Sequence, residues 1–233
     1  MKWLTVIQHT SAEYLGYLED HFEGRNIGFR YVRPFTEGGS LPEPRNLGDG
    51  LILLSGGPWG SAGGRDVPTL RGETALARYA LDRGLPLLGF GLGAQIVALA
   101  GGGDVEATPL MFEIGQARRV DDHALSGLLP EVMPQVVYMR DRPTPPIYAR
   151  VLAHDELKRP AIFQLGERAL GFVSHPGFKA AIAEDLIMEF EESPPDPGPK
   201  LQQLRNMRRE IEDALAPLAA GVVAQFGWMD SRA

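Results

Sequence analysis

The sequence predicts an α/β fold organised around an open, mostly parallel sheet. Three observations point there. An apolar run, a glycine turn and an apolar helix follow one another without a break between Leu85 and Gly103. Short apolar runs alternate with helix-periodic segments through the first half of the chain, the pattern of parallel strands joined by helices. With 233 residues, 44% of them hydrophobic, the chain has enough apolar material for one sizeable core and an appendage. In such sheets ligands bind outside the carboxyl ends of the strands, so the loops after residues 7, 54 and 88 share the edge where a site is expected.

Taken in order, residues 3–7 read as a first buried strand that ends in the loop Gln8-His9-Thr10. Ser11 is placed to cap a helix carrying Tyr14, Leu15, Leu18 and Phe22 at helical spacing, and Gly24 ends it. A strand over 28–33 is closed by Pro34, a Pro- and Gly-rich loop fills 37–46, and a strand over 50–54 leads into Ser55-Gly56-Gly57-Pro58. A helix over 69–83 carries Leu70, Ala77 and Leu81. Residues 85–88, bounded by Arg83-Gly84 and too short for a helix, make the next strand; the helix from 92 to 100 stops at Gly101-Gly102-Gly103. Beyond it, runs at 114–120, 135–139, 149–152, 161–165 and 170–173 suggest antiparallel strands, the last two joined by a hairpin turn at 166–168. Ser174-His175-Pro176-Gly177 then precedes a helix over 179–192. The segment 193–199 reads as a stiff Pro-rich linker, and the tail as one amphipathic helix with Leu201, Leu204, Ile211, Leu215, Leu218 and Val222 on a stripe. The expected organisation is a main domain over 1–192 and an appendage over 193–233.

Charge and composition narrow the function classes. A net charge of −7 disfavours binding to a nucleic-acid backbone, which calls for clustered lysine and arginine. No run of 18 apolar residues is present and the apolar start at Trp3 is too short for a signal sequence, so no membrane partner and a cytoplasmic location are expected. The absence of cysteine rules out thiol nucleophiles, disulfides and thiolate metal sites.

At the turn, Gly89, Gly91 and Gly93 let the backbone bend sharply and aim a helix N-terminus at one point outside the sheet. The frame G-x-nucleophile-x-G fits Gly89 and Gly93, but the nucleophile corner is Gly91. Gly89, Gly91 and Ala94 also match a dinucleotide fingerprint, which makes a dinucleotide-binding protein an alternative. That reading lacks an acidic residue at the required distance, since Asp104 and Glu106 come too early.

Ser55-Gly56-Gly57-Pro58, Gly89-Phe-Gly-Leu-Gly-Ala-Gln95, Glu113-Ile-Gly115 and Gly171-Phe-Val-Ser-His175-Pro176, in this order, resemble the motifs of class I glutamine amidotransferases, especially the branch similar to the glutaminase domain of GMP synthase. The resemblance implies a flavodoxin-like three-layer domain with its site at the elbow. It also implies a cysteine nucleophile, a histidine base and a glutamate orienter, the division of labour of other triads. Here these positions hold Gly91, His175 and Gly177, and a His-x-Asp segment found in many relatives is Met139-Arg140-Asp141. Loss of a triad nucleophile costs about 10⁶ in kcat in a serine-protease benchmark. The expectation is therefore a catalytically lapsed protein whose former cleft, built from Gly56, Gly57, Gly91, Leu92, Gln95 and His175, binds a small molecule or regulates a partner. The alternative is an active amidotransferase or hydrolase with an unrecognised nucleophile, Ser61 and Ser174 being the hydroxyls to consider. No cofactor is required, and a co-purifying one would sit near His175. No metal is predicted; His175 would be its one ligand, while His9, His21, His123 and His154 read as surface or loop histidines. The tail helix is the expected route to a homo-oligomer or a protein partner.

Overall fold

The computed structural model describes residues 1–230. The elements follow as β1 (Lys2–Ile7), α1 (Leu18–Glu23), β2 (Ile27–Val32), β3 (Gly50–Leu53), α2 (Leu70–Arg83), β4 (Leu87–Phe90), α3 (Leu92–Ala100), β5 (Asp104–Glu106), β6 (Met111–Arg119), β7 (Val132–Met139), β8 (Arg142–Thr144), β9 (Arg150–Asp155), β10 (Pro160–Leu165), β11 (Ala169–Phe172), α4 (Ala180–Glu189), α5 (Pro197–Asn206) and α6 (Arg208–Phe226). A 9-stranded sheet runs in the order β2-β1-β3-β4-β11-β10-β9-β6-β7. From β2 to β11 neighbouring strands are parallel; from β11 to β7 they are antiparallel. β5 and β8 pair separately. The α/β architecture expected from the alternation of strand and helix signals is the one found.

Every residue of β3 and β4 is buried, because both faces of these central strands are covered. Leu51, Leu53 and Leu87 meet α2 and α3 through Leu76, Ala77, Ile96 and Val97. Ile52, Leu88 and Phe90 point the other way, into a core shared with Phe22 of α1 and Leu215, Val222 and Phe226 of α6. This alternation makes the three layers. No helix among the described residues is long and apolar enough to cross a membrane.

Two sequence expectations need correcting. The first helix begins at Leu18 rather than near Tyr14, and Ser11 does not cap it. Upstream, the Thr10 hydroxyl accepts the Glu13 amide, Leu15 donates to the Tyr31 hydroxyl, and Gly16 has a φ of +63°. The backbone is thus committed to partners that a helix would have to break. In the tail, Pro197 opens α5, so the end of the Pro-rich stretch is helical; proline suits a first turn, where its missing N–H costs nothing. The single tail helix is in fact two, separated at Met207. Its apolar stripe lies against the chain's own core, and Trp228 beyond it stacks edge-on against Phe22 and Phe226 at 5.7 and 5.0 Å.

Burial of Leu215 at 1% exposure makes α6 part of the fold's stability. Leu215→Ala is expected to lower the unfolding free energy by about 2–5 kcal/mol. Arg208→Ala on the exposed side should change it by less than about 0.5 kcal/mol. Urea titrations of the two variants measure the difference, and equal values would show that α6 is not docked.

Candidate functional site

β4 enters α3 through Gly91, whose φ of +53° and ψ of −111° belong to a region that side chains with a Cβ adopt only under strain. The Gly91 amide is fixed to the Phe172 carbonyl of β11 at 2.9 Å, and its carbonyl accepts from Ala94 and Gln95. Leu92 begins the helix with an amide that has no acceptor inside it. A Cβ at Gly91 would stand 2.7 Å from Ser55 Oγ and 3.0 Å from Ser55 Cβ. The corner is therefore filled by the loop after β3 rather than left open.

The residues singled out from the sequence do converge here. Gly56 lies against Leu92, Gly57 against Thr10, Leu186 and Phe190, and the His175 ring stacks 5.1 Å from that of Phe90. All of them are buried. Gln95 is held at both ends: its Oε1 accepts from Ser61 Oγ at 2.5 Å and its Nε2 donates to the Arg140 carbonyl at 2.7 Å. Ser61 is thereby engaged as a donor, and Ser174 is buried as well.

His175 is occupied on both ring nitrogens. Nε2 donates to the Tyr14 carbonyl at 2.8 Å, and Nδ1 accepts from the Gly177 amide at 3.1 Å. This pattern selects the neutral tautomer, and burial pushes its pKa down to about 4. An imidazole so bonded has no lone pair left for a metal or an incoming proton. No group of metal-ligating side chains stands together among the described residues. Gly177 offers no room for an orienting carboxylate, since a Cβ there would approach the Leu15 carbonyl to 2.8 Å.

Charged groups that the sequence reading passed over surround the loop after β3. His9 is not a surface histidine: it is 4% exposed, with Nδ1 donating to the Ser55 carbonyl at 2.9 Å and Nε2 to Glu73 Oε2 at 2.7 Å. Burial opposes its charge, but the Glu73 carboxylate and these hydrogen bonds outweigh that, raising the His9 pKa; Glu73 is correspondingly lowered against its own desolvation by His9 and Thr69. The pair straps the loop to α2. Glu13 is also fully buried, yet neither carboxyl oxygen has a hydrogen-bond partner. Burial raises its pKa to about 8, against the pull of His9 and the Gly57 amide. The buried Tyr138 hydroxyl, close enough to feel Glu13, is likewise unpartnered. Asp141 takes the amides of Ser61 and Ala62 at 2.9 and 3.0 Å. Arg140 donates to the Pro58 carbonyl at 3.1 Å and pairs, with Arg65, to Glu192, so the chain after α4 roofs the loop. A cavity of about 80 Å³ opens beside His9 between Phe35 and Trp59.

The family model for glutamine amidotransferase class-I matches residues 24–164, which include the Ser55–Pro58 loop and the elbow but stop short of His175. A glutamine amidotransferase from Thermotoga maritima superposes with a TM-score of 0.81 at 22% identity, covering 99% of each chain. A glutamine amido transferase from Methylobacillus flagellatus also gives 0.81 at 22% identity, over 100% of this chain and 97% of its own. At this identity the likeness establishes the fold. No curated protein sequence matches the chain.

The raised Glu13 pKa makes a signed prediction. The folded protein holds this proton more tightly than the unfolded chain, so the group's contribution to stability is full below the ordinary carboxylate range and is lost as pH rises toward 8. Glu13→Gln cannot titrate. Its stability relative to wild type should improve by on the order of 1.4 kcal/mol per pH unit across that window. Urea denaturation at both ends of the window checks this; a constant difference would place the carboxyl in water.

Proposed function

The chain belongs to the class I glutamine amidotransferase family, and from that premise we propose that it is a catalytically lapsed member which binds a small ligand, or regulates a partner, through the former glutaminase cleft. The observation that carries this reading is the elbow itself. Gly91 holds the nucleophile position with Ser55 packed where a side chain would start, and Gly177 holds the orienter position against the Leu15 carbonyl. His175, the one triad type retained, is neutral and hydrogen-bonded to main chain on both nitrogens. A general base needs a free lone pair within reach of its proton, and this imidazole has none.

Ligand binding finds support in the groups left unsatisfied beside the same loop. Two carboxyl oxygens of Glu13 and the Tyr138 hydroxyl are buried without partners, an expense a fold tolerates where water or a ligand completes the bonds. The reading includes work in the cytoplasm and no nucleic-acid partner, in keeping with the net charge of −7. One observation favours a second reading, an active hydrolase: Ser55 Oγ sits at the nucleophile corner.

Purified protein should release no ammonia from glutamine above buffer at neutral pH. Gly91→Cys should add none, and neither should Gly91→Cys combined with Gly177→Glu, because the added side chains meet Ser55 and the Leu15 carbonyl. A coupled ammonia assay decides: release by the wild type, abolished in Ser55→Ala, would establish the hydrolase instead. Native mass spectrometry of freshly purified protein should find a small molecule or a second protein bound; bare chain alone would count against the cleft.

A further inference from the structure

The motif Glu113-Ile114-Gly115 plays no part in the elbow. It lies on β6, four strands along the sheet from β4, where it borders a separate cavity of about 390 Å³. The sheet makes this hollow. β6 pairs with β7 along Met111–Arg118, but with β9 only at Ala117–Arg119, so residues 113–116 are unpaired on the side away from β7. Gly115 stands opposite Gln135, and a Cβ at Gly115 would meet Glu156 at 3.4 Å, so the bare backbone keeps the floor open.

The polar groups of this cavity are unevenly satisfied. Gln135 is 6% exposed, and its side-chain Nε2 is buried without a hydrogen-bond partner. Arg142 is 4% exposed and its side chain makes one hydrogen bond among the described residues, from Nη2 to Asp155 Oδ2 at 2.8 Å. Arg159 Nε donates to that same oxygen at 2.8 Å, while Asp155 Oδ1 accepts the amides of Leu157 and Arg159. Two guanidinium groups therefore share one carboxylate, and one positive charge is left over next to an unpartnered amide donor. Desolvation and the neighbouring Arg159 press against the charge on Arg142 and outweigh the carboxylates of Asp155, Glu113 and Glu106, which favour it. At the rim the exposed carboxylates of Glu113 and Glu156 carry the opposite sign, Glu156 accepting the Gln116 amide at 3.2 Å, while Lys200, which also lines the cavity, is tied by its ammonium to the Phe112 carbonyl.

Donors and surplus positive charge at the floor, with carboxylates at the mouth, match a small molecule that is anionic at one end and cationic at the other. We propose that this cavity is a binding site for a free α-amino acid, its carboxylate directed inward to Gln135 and Arg142 and its ammonium outward to Glu113 and Glu156. Guanidinium and amide donors are the usual readers of a carboxylate, and the cavity volume is of the size that takes a small ligand. The site does not depend on the reading of the elbow, which lies across the sheet.

The test uses the full chain and the twenty common L-amino acids, one at a time, in thermal-shift and calorimetric titrations. At least one should bind saturably at or below about 1 mM, the affinity range of a few well-placed polar contacts. Its deaminated acid should bind more weakly and its decarboxylated amine not at all. Gln135→Leu removes an unpartnered buried donor, so it should leave the unliganded melting temperature equal or higher while weakening binding about tenfold or more. Arg159→Ala, at a half-exposed position, should weaken it similarly. Binding unchanged in Gln135→Leu would assign the amino acid to the elbow and overturn the proposal. No amino acid binding up to about 10 mM, the amine alone binding, or inorganic phosphate binding in place of every amino acid would each overturn it too.

Discussion

The upper edge of the sheet depends on a steric constraint: the chain must leave a fully buried strand and enter a helix within one residue. Gly91 does this with a positive φ while its amide bonds to β11 and its carbonyl starts α3. The turn also lets α3 approach the neighbouring strand, where the Gly93 amide reaches the Leu54 carbonyl at 3.1 Å. A side chain at such a corner costs on the order of 1–3 kcal/mol in backbone strain, which a fold carries where the side chain has work to do. Glycine avoids the strain, and Ser55 of the loop after β3 packs against the corner.

Around that turn the protein sets buried titratable groups in opposite states. His9 is favoured in its charged form because two acceptors, one of them Glu73, face its ring. His175, in the same edge of the sheet, is neutral because a carbonyl faces one nitrogen and an amide the other. The same residue type thus serves as an ionic strap in one place and as an uncharged pin in the other. Burying a charge is tolerable only when it is paired, and removing one partner of such a pair typically costs about 3–5 kcal/mol. The Glu13 carboxyl oxygens have no hydrogen-bond partner among the described residues, and burial holds the proton on this group.

The elbow and the cavity beside Gly115 illustrate one physical economy. In both places polar side chains meet where the regular pairing of the sheet ends, at the carboxyl ends of the central strands and at the split between β6 and β9. The roof formed by Arg65, Arg140 and Glu192 lies over the first, and the Arg142–Asp155–Arg159 cluster walls the second.

The sequence by itself determined the α/β class, the strand–elbow–helix unit and the family resemblance, because these rest on local periodicity, glycine spacing and short motifs. It placed α3 at its observed bounds and brought the Ser55–Pro58, Gly91 and His175 loops to one edge. It misjudged the start of α1, where the Leu15 amide donates to the Tyr31 hydroxyl and the Tyr17 amide to the Gly177 carbonyl, and the tail, where one periodic stripe is carried by two helices that meet at Met207. Only the tertiary structure decided the state of each buried polar group. His9 and Glu73 are 64 residues apart and His175 and Tyr14 are 161 apart, and no local pattern records that these groups meet. Spacing along a chain encodes backbone geometry; protonation and hydrogen-bond satisfaction depend on neighbours that only folding supplies.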